Sequence, residues 1–318
     1  MTQLSGPIPR SSNHLYGQHN MTTVLEIAEE YFSSHDFKNL RDETKASYQY
    51  FLRVAFETEV DGTSLGSLNH ASITTKQAKL VYDLWCDRGI PFANHIMATI
   101  RILYNYAVRM EHCNLNPFSI VRRRSSTPRK VLWGREDIQK LLDVAYSDFS
   151  TRNIGLIAHM AYAWCQRVGD MRLLTWDCIQ FDKARVHIEQ SKRRAEVFLP
   201  IDDDLLDMLR QQHEDFGFQQ WVAPRPKPIG GEYIPYSQYK LPLHARKLMD
   251  EAGLSSELRL SDLRRTGTTE MVEAGVGIGQ IMSVTGHANP QSVKPYMKNT
   301  YASANTALTA RKIHGKST

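Results

Sequence analysis

Five side chains spread through the second half of this chain, Arg167, Lys192, Arg264, His287 and Tyr296, share an aptitude for handling a phosphate. Phosphodiester cleavage needs an in-line attacker, neutralisation of the non-bridging oxygens and a proton for the departing alkoxide. A guanidinium offers planar, paired donors at fixed charge, so Arg167 and Arg264 suit a clamp on both non-bridging oxygens. A tyrosine attacks as its phenolate. With an ordinary pKa of about 10, forming that anion costs roughly 4 kcal/mol at neutral pH, and a cluster of cations lowers the cost. The imidazole of His287 can hydrogen-bond a phosphate oxygen or assist proton movement at the nucleophile. A covalent phosphotyrosyl intermediate keeps the bond energy, so no ATP, metal or other cofactor is expected.

Other residues need weighing beside these. Asp170 suits a carboxylate that fixes the site, or an acid in the first turn of a helix. Tyr301 competes with Tyr296 as nucleophile, and the spacing from His287 favours Tyr296. Asn289-Pro290 reads as an N-cap and first helical position, with Pro295 interrupting that helix just before Tyr296. Asp202-Asp203-Asp204 has a metal-binding look, but acidic residues are also favoured at a helix N-terminus, the reading preferred here. Gly275-Val276-Gly277-Ile278-Gly279 follows a helix, not a strand, and reads as a C-cap and turn and not a phosphate loop. With no carboxylate constellation in view, a metal-dependent nuclease is the weakest of the enzymatic readings.

The elements that must position these groups fall into two sets, and the expected class is mainly α with a small β-sheet: an all-α domain followed by a mixed α/β domain. Residues 1–20 are polar and irregular and are expected to be disordered. An all-α domain is expected over residues 21–118. Its helices run from Thr22 onward, with Val24, Ile27, Ala28 and Tyr31 on one face, and over Thr44–Phe56, Thr75–Asp87 and Phe92–Met110. Residues 119–134 read as a basic linker and residues 135–318 as the mixed domain. In the latter, helices are expected at Asp137–Ala145, Ile154–Trp164, Ser237–Ala252, Asp262–Ala274, Ile278–Val284 and Ala302–Ile313. Strands at Arg185–Gln190 and Glu196–Leu199 would place Lys192 on a hairpin turn.

Composition narrows the class further. At 42% hydrophobic and 23% charged, the 318 residues fit a soluble globular protein of two domains. Apolar stretches such as Ile154–Cys165 are too short and interrupted to span a bilayer, and no signal-peptide pattern opens the chain, so a cytoplasmic location without a membrane partner is expected. Cys86, Cys113, Cys165 and Cys178 lack metal-ligand spacing and read as reduced, mostly buried thiols. The net charge of +5 is concentrated: Arg122, Arg123, Arg124, Arg129, Lys130 and Arg135 share a stretch with no acidic residue. That stretch is either a solvated linker or a polyanion contact, and a linker that touches phosphates satisfies both readings.

In this order the motifs resemble those of the tyrosine recombinases, the phage-integrase family. Trp164-Cys-Gln-Arg167-Val-Gly-Asp170-Met171 matches the family's first arginine motif, and Leu173-Leu174-Thr175-Trp176-Asp177 continues it. Gln190-Ser-Lys192-Arg, ending at Leu199-Pro200, matches the hairpin lysine. Ser261-Asp262-Leu263-Arg264-Arg265-Thr266 matches the second arginine motif except that Ser261 stands where the family has histidine. A hydroxyl there can donate to a phosphate but cannot transfer protons as imidazole does; an N-cap role at Ser261 is the alternative. Gly286-His287, with Tyr296 nine residues after the histidine, matches the last motif.

The resemblance covers about Leu132–Tyr301 well and the helical domain more loosely. It implies that Lys192 protonates the leaving 5′-oxygen. It further implies double-stranded DNA as partner, clamped by the two domains with the basic linker across the backbone, in a bacterial or phage-infected cell. Dimers on each site, tetramers in synapsis, a Holliday junction and accessory DNA-bending or directionality proteins belong to the same implication. The segment Ala302–Thr318, with Leu308, Ala310 and Ile313, would dock on a neighbouring protomer or pack on its own domain. Two readings stay open beside recombination: strand cleavage and rejoining of the type IB topoisomerase kind, and a catalytically silent DNA-binding relative.

Overall fold

A computed structural model describes residues 23–127, 129–192, 194–297 and 301–314; the segment 1–20 and Arg193 lie outside them. The chain divides into two compact units, Met1–Pro128 and Arg129–Thr318, so the division falls inside the stretch read as a linker.

In the first unit, capping boxes start two of the helices. Helix α1 (Val24–Ser33) begins at a Thr23–Glu26 capping box, and α4 (Thr75–Asp87) at a Thr74–Gln77 box. A single turn, α2 (His35–Lys38), follows α1, and α3 (Asp42–Phe56) and α5 (Ile90–Arg109) complete the unit. The expected face of Val24, Ile27, Ala28 and Tyr31 is buried, joined by Leu52, Tyr82, Trp85, Ile96, Ile100 and Leu103. The unit is not purely helical. Strands β1 (Glu59–Val60) and β2 (Thr63–Ser64) pair antiparallel around Asp61 and Gly62, both at positive φ. An Asp-Gly pair is the turn that such a hairpin needs, so the sequence carries its signal.

The second unit is built on α6 (Arg135–Tyr146) and α7 (Phe149–Ala163). They cross at Gly155, where an added Cβ would lie 2.4 Å from that of Ala145. A one-turn helix α8 (Val168–Met171) leads to the antiparallel sheet of β3 (Ile179–Gln180), β4 (Arg185–Glu189) and β5 (Glu196–Pro200), in that order. Val186 opposite Leu199 and Ile188 opposite Val197 form the buried face. Strand β3 has only two residues, too few to show a period.

Helix α9 (Asp203–Phe216) is capped by Asp202, whose carboxylate accepts from Leu205 N, the role expected of the acidic triplet. Helices α10 (Lys240–Glu251), α11 (Leu263–Glu273), α12 (Ile278–Thr285) and α13 (Tyr301–His314) complete the unit. Asn289 caps its expected turn, but Pro290–Ser292 and Lys294–Tyr296 form two 3-10 turns in place of an α-helix. Of the four free cysteines only Cys165 is buried; the others are partly exposed, against the expectation of mostly buried thiols. Among the described residues no helix is long and apolar enough to cross a membrane.

The α6–α7 crossing leaves no room for a branched side chain. Gly155→Val is expected to lower the unfolding free energy by about 1–3 kcal/mol, measured by urea denaturation.

Candidate active site

Arg167 owes its place to the way α7 ends. Cys165 turns left-handed at φ 51°, its N–H bonds Tyr162 O, and the Gln166 N–H reaches back to Ala161 O at 3.1 Å. This is a Schellman closure with cysteine where glycine is usual. The chain then enters α8 with Arg167 as its N-cap residue. The Arg167 Nη1 donates to Gln190 Oε1 at 2.8 Å and lies 3.6 Å from the Asp170 carboxylate. Asp170 is buried and accepts from the backbone and hydroxyl of Ser191, so it ties Arg167 to the turn that carries Lys192. Lys192 is exposed on that turn, without a hydrogen bond or ion pair among the described residues.

Arg264 sits in the first turn of α11 and is 8% exposed. Its Nη2 donates to Thr285 O at 2.7 Å and approaches His287 Nε2 at 3.3 Å, while its buried Nη1 has no hydrogen-bond partner among the described residues. Burial, reinforced by the nearby Arg167, lowers its pKa from 12.5 to about 10, with Tyr296 among the groups that oppose the shift. The guanidinium is therefore charged at neutral pH, desolvated, and short of an anion.

His287 follows Gly286, whose left-handed φ of 67° ends α12. The same glycine is needed for space, since a Cβ there would lie 2.5 Å from Gln190 Nε2. The His287 ring is 6.0 Å from the half-buried Tyr296 ring, and the Arg265 guanidinium is 5.5 Å from the Tyr296 centroid. The structure thus gathers Arg167, Asp170, Arg264, His287 and Tyr296, with Lys192 on the adjoining turn. Tyr301 opens α13, and its side chain lies outside the described residues.

Three other expectations are corrected in part. Ser261 does not cap α11: it lies in a 3-10 turn, exposed, and the N-cap position is Asp262. Ser261 instead lines a groove of about 590 Å³ whose wall includes Val168 and Gly169, just after Arg167. Arg129 is not a freely presented cation, because it forms a fork with the buried Asp262 carboxylate at 2.9–3.1 Å. Arg124 is paired with Asp83, its N–H bonds Tyr82 Oη, and its carbonyl accepts from Asn94. Arg122, Arg123 and Lys130 are exposed.

The sequence reading missed Gln166, Gln190, Thr285 and Arg265. Gln190 Nε2 donates to Gln166 Oε1 and Thr285 O, and Gln166 Nε2 donates to Trp164 O and Val284 O. One signal was present: the alternation Val186, Ile188, Gln190 puts a polar side chain on the buried face of β4.

Helices around a small antiparallel sheet carry two guanidiniums, an imidazole and a phenol in one cluster, a set of groups whose charge and donors suit an anion. Residues 134–303, more than half of the chain, match the family model described as phage integrase family, and the chain belongs to that family. Tyrosine recombinase XerA of Thermococcus onnurineus (strain NA1) is 23% identical over 283 residues, spanning 88% of this chain and 93% of that protein. The lambda integrase tetramer bound to a Holliday junction superimposes with a TM-score of 0.72 at 19% identity, over 88% of this chain and 79% of that one. The Tn1549 transposon integrase in complex with a circular intermediate DNA gives 0.72 at 14% identity, over 91% of this chain and 100% of that one. At these identities the two structures show a shared fold.

Two consequences can be measured. Gly286→Ala must strain the backbone and displace Gln190, and a loss of about 2 kcal/mol or more in unfolding free energy is expected from chemical denaturation. Arg264→Met removes an uncompensated buried charge, so the free protein should keep its stability within about 1 kcal/mol or gain some. Wild type should gain more thermal stability from a phosphate-bearing duplex than this variant does, as read by calorimetry with and without DNA.

Proposed function

We propose that this protein is a site-specific DNA recombinase that cleaves and rejoins strands through a 3′-phosphotyrosyl intermediate. One observation carries the reading: the buried, anion-deficient Arg264 touches His287, feels Arg167, and lies by Tyr296. Arg167 and Arg264 clamp the scissile phosphate, and Tyr296 attacks it. Lys192, exposed on its turn, delivers a proton to the 5′-oxygen, and Asp170 holds that turn against Arg167 through Ser191. No cofactor enters this chemistry.

The substrate is double-stranded DNA, bound by the helical first unit as a core-binding domain and by the basic run that joins it to the second unit. Arg122, Arg123 and Lys130 are exposed for phosphate contact, whereas Arg124 and Arg129 would exchange Asp83 and Asp262 for phosphate. Such contacts make affinity fall steeply with salt. Two protomers on each site and four in synapsis would exchange strands through a Holliday junction, the assembly on which lambda integrase is seen. Leu308 and Ile313 are exposed on α13, which favours docking of this helix on a neighbouring protomer. The protein would act on DNA in the cytoplasm of a bacterial or phage-infected cell, with DNA-bending or directionality proteins as helpers.

Ser261 supports a second reading, a silent DNA-binding relative, because its exposed hydroxyl cannot move protons as imidazole does. Trapping on a nicked duplex that carries the cognate site separates the two. A covalent protein–DNA band is expected from wild type and Tyr301→Phe, and none from Tyr296→Phe. Specific binding by wild type without any band would leave the silent reading standing.

A further inference from the structure

Thr285 is fully buried at the C-terminal end of α12, and its hydroxyl has two partners. It lies 2.7 Å from Ile281 O and 2.6 Å from His287 Nδ1. A carbonyl only accepts and a hydroxyl carries one hydrogen, so that hydrogen is used on Ile281 O. The second contact then requires His287 Nδ1–H to donate to Thr285 Oγ1. On the other side of the ring, Arg264 Nη2 is an obligate donor at 3.3 Å from Nε2, which must therefore be the acceptor. The ring is bracketed: hydrogen on Nδ1, lone pair on Nε2. A proton on Nε2 would also set an imidazolium against the buried Arg264, with Arg167 adding a second positive charge to the cluster.

We infer that Thr285 is a positioning residue for strand cleavage: its hydroxyl holds His287 in the neutral Nδ1–H tautomer and leaves Nε2 as the proton acceptor beside Tyr296. The catalytic half rests on the recombinase reading above. A phosphate oxygen that accepts from Arg264 competes with Nε2 for its N–H, so substrate binding frees the lone pair. Tyr296 then passes its hydroxyl proton to Nε2 as its oxygen bonds to phosphorus. The phosphorus–O5′ bond breaks, and O5′ takes a proton from Lys192. After cleavage His287 carries one proton more and Lys192 one fewer, and religation reverses both transfers. Arg264 donates to Nε2, Arg265 lies by the Tyr296 ring, and Gln190, bonded to the Thr285 carbonyl, is neutral.

The test uses the full chain with 15N-labelled histidine, His287 being assigned by the signal lost in His287→Asn. Wild type and Thr285→Ser should show the proton on Nδ1, and Thr285→Val should show the Nε2–H form or a mixture. On a nicked duplex carrying the cognate site, Thr285→Val should form covalent adduct about 10-fold more slowly at unchanged DNA affinity, and Thr285→Ser should match wild type. A wild-type spectrum with the proton on Nε2 overturns the inference without any variant. An unchanged tautomer in Thr285→Val overturns it too, even with slowed cleavage, because Thr285 would then be merely structural. A shifted tautomer with wild-type cleavage overturns the catalytic half. The expected tautomers in a wild type that binds its site but forms no adduct would uphold the hydrogen-bond assignment and refute the recombinase reading.

Discussion

The polar interior of the second unit converges on one peptide carbonyl. Thr285 O accepts from Arg264 Nη2 and Gln190 Nε2, at 2.7 and 2.8 Å, which occupies both of its lone pairs. Gln190 in turn accepts from Arg167, and it donates to Gln166 at the end of α7. Segments far apart in the chain, the close of α7, the end of β4, the start of α11 and the end of α12, are joined by a handful of hydrogen bonds. A network of this kind, buried and mutually dependent, orders its members more firmly than isolated pairs would.

The choice of neutral partners explains the electrostatics. A carboxylate in place of Gln190 would orient a guanidinium equally well, but it would also neutralise it and compete with any incoming anion. Amides and carbonyls orient without neutralising. Asp262, the acid nearest to Arg264 in sequence, is turned to Arg129, and Asp170 sits on the Arg167 side. Arg264 is left with buried charge and, among the described residues, no partner for Nη1, a local cost sustained by the hydrophobic core of the second unit. Such strain is typical of a site whose complement is its substrate.

Much of this was legible in the residues. Helical patterning located α1, α3–α7 and α10–α12, whose buried residues face a core, the acidic triplet marked the start of α9, and the order of the cationic motifs pointed to the family. What escaped had physical reasons. The two-residue strands are too brief to show a period. The end of α7 was read within one residue, but not its left-handed turn, which is made by Cys165, a residue that rarely adopts that conformation. Arg129 belongs to a run of cations, and only the fold brings Asp262 to it. Gln166 acts through a partner more than a hundred residues away, and Thr285 reaches His287 only because Gly286 turns left-handed between them, so neither position by itself carries a trace of its pairing.

The hub at position 285 has two halves with different fates under mutation. Its carbonyl belongs to the backbone, so no amino-acid replacement there deletes the acceptor that aligns Arg264 and Gln190. Its hydroxyl belongs to the side chain and touches the imidazole alone, apart from the helix's own backbone. Variation at this codon can therefore change what the imidazole is bonded to while Arg264 and Gln190 keep their shared acceptor, so the setting of the ring is mechanically separate from the alignment of the guanidinium.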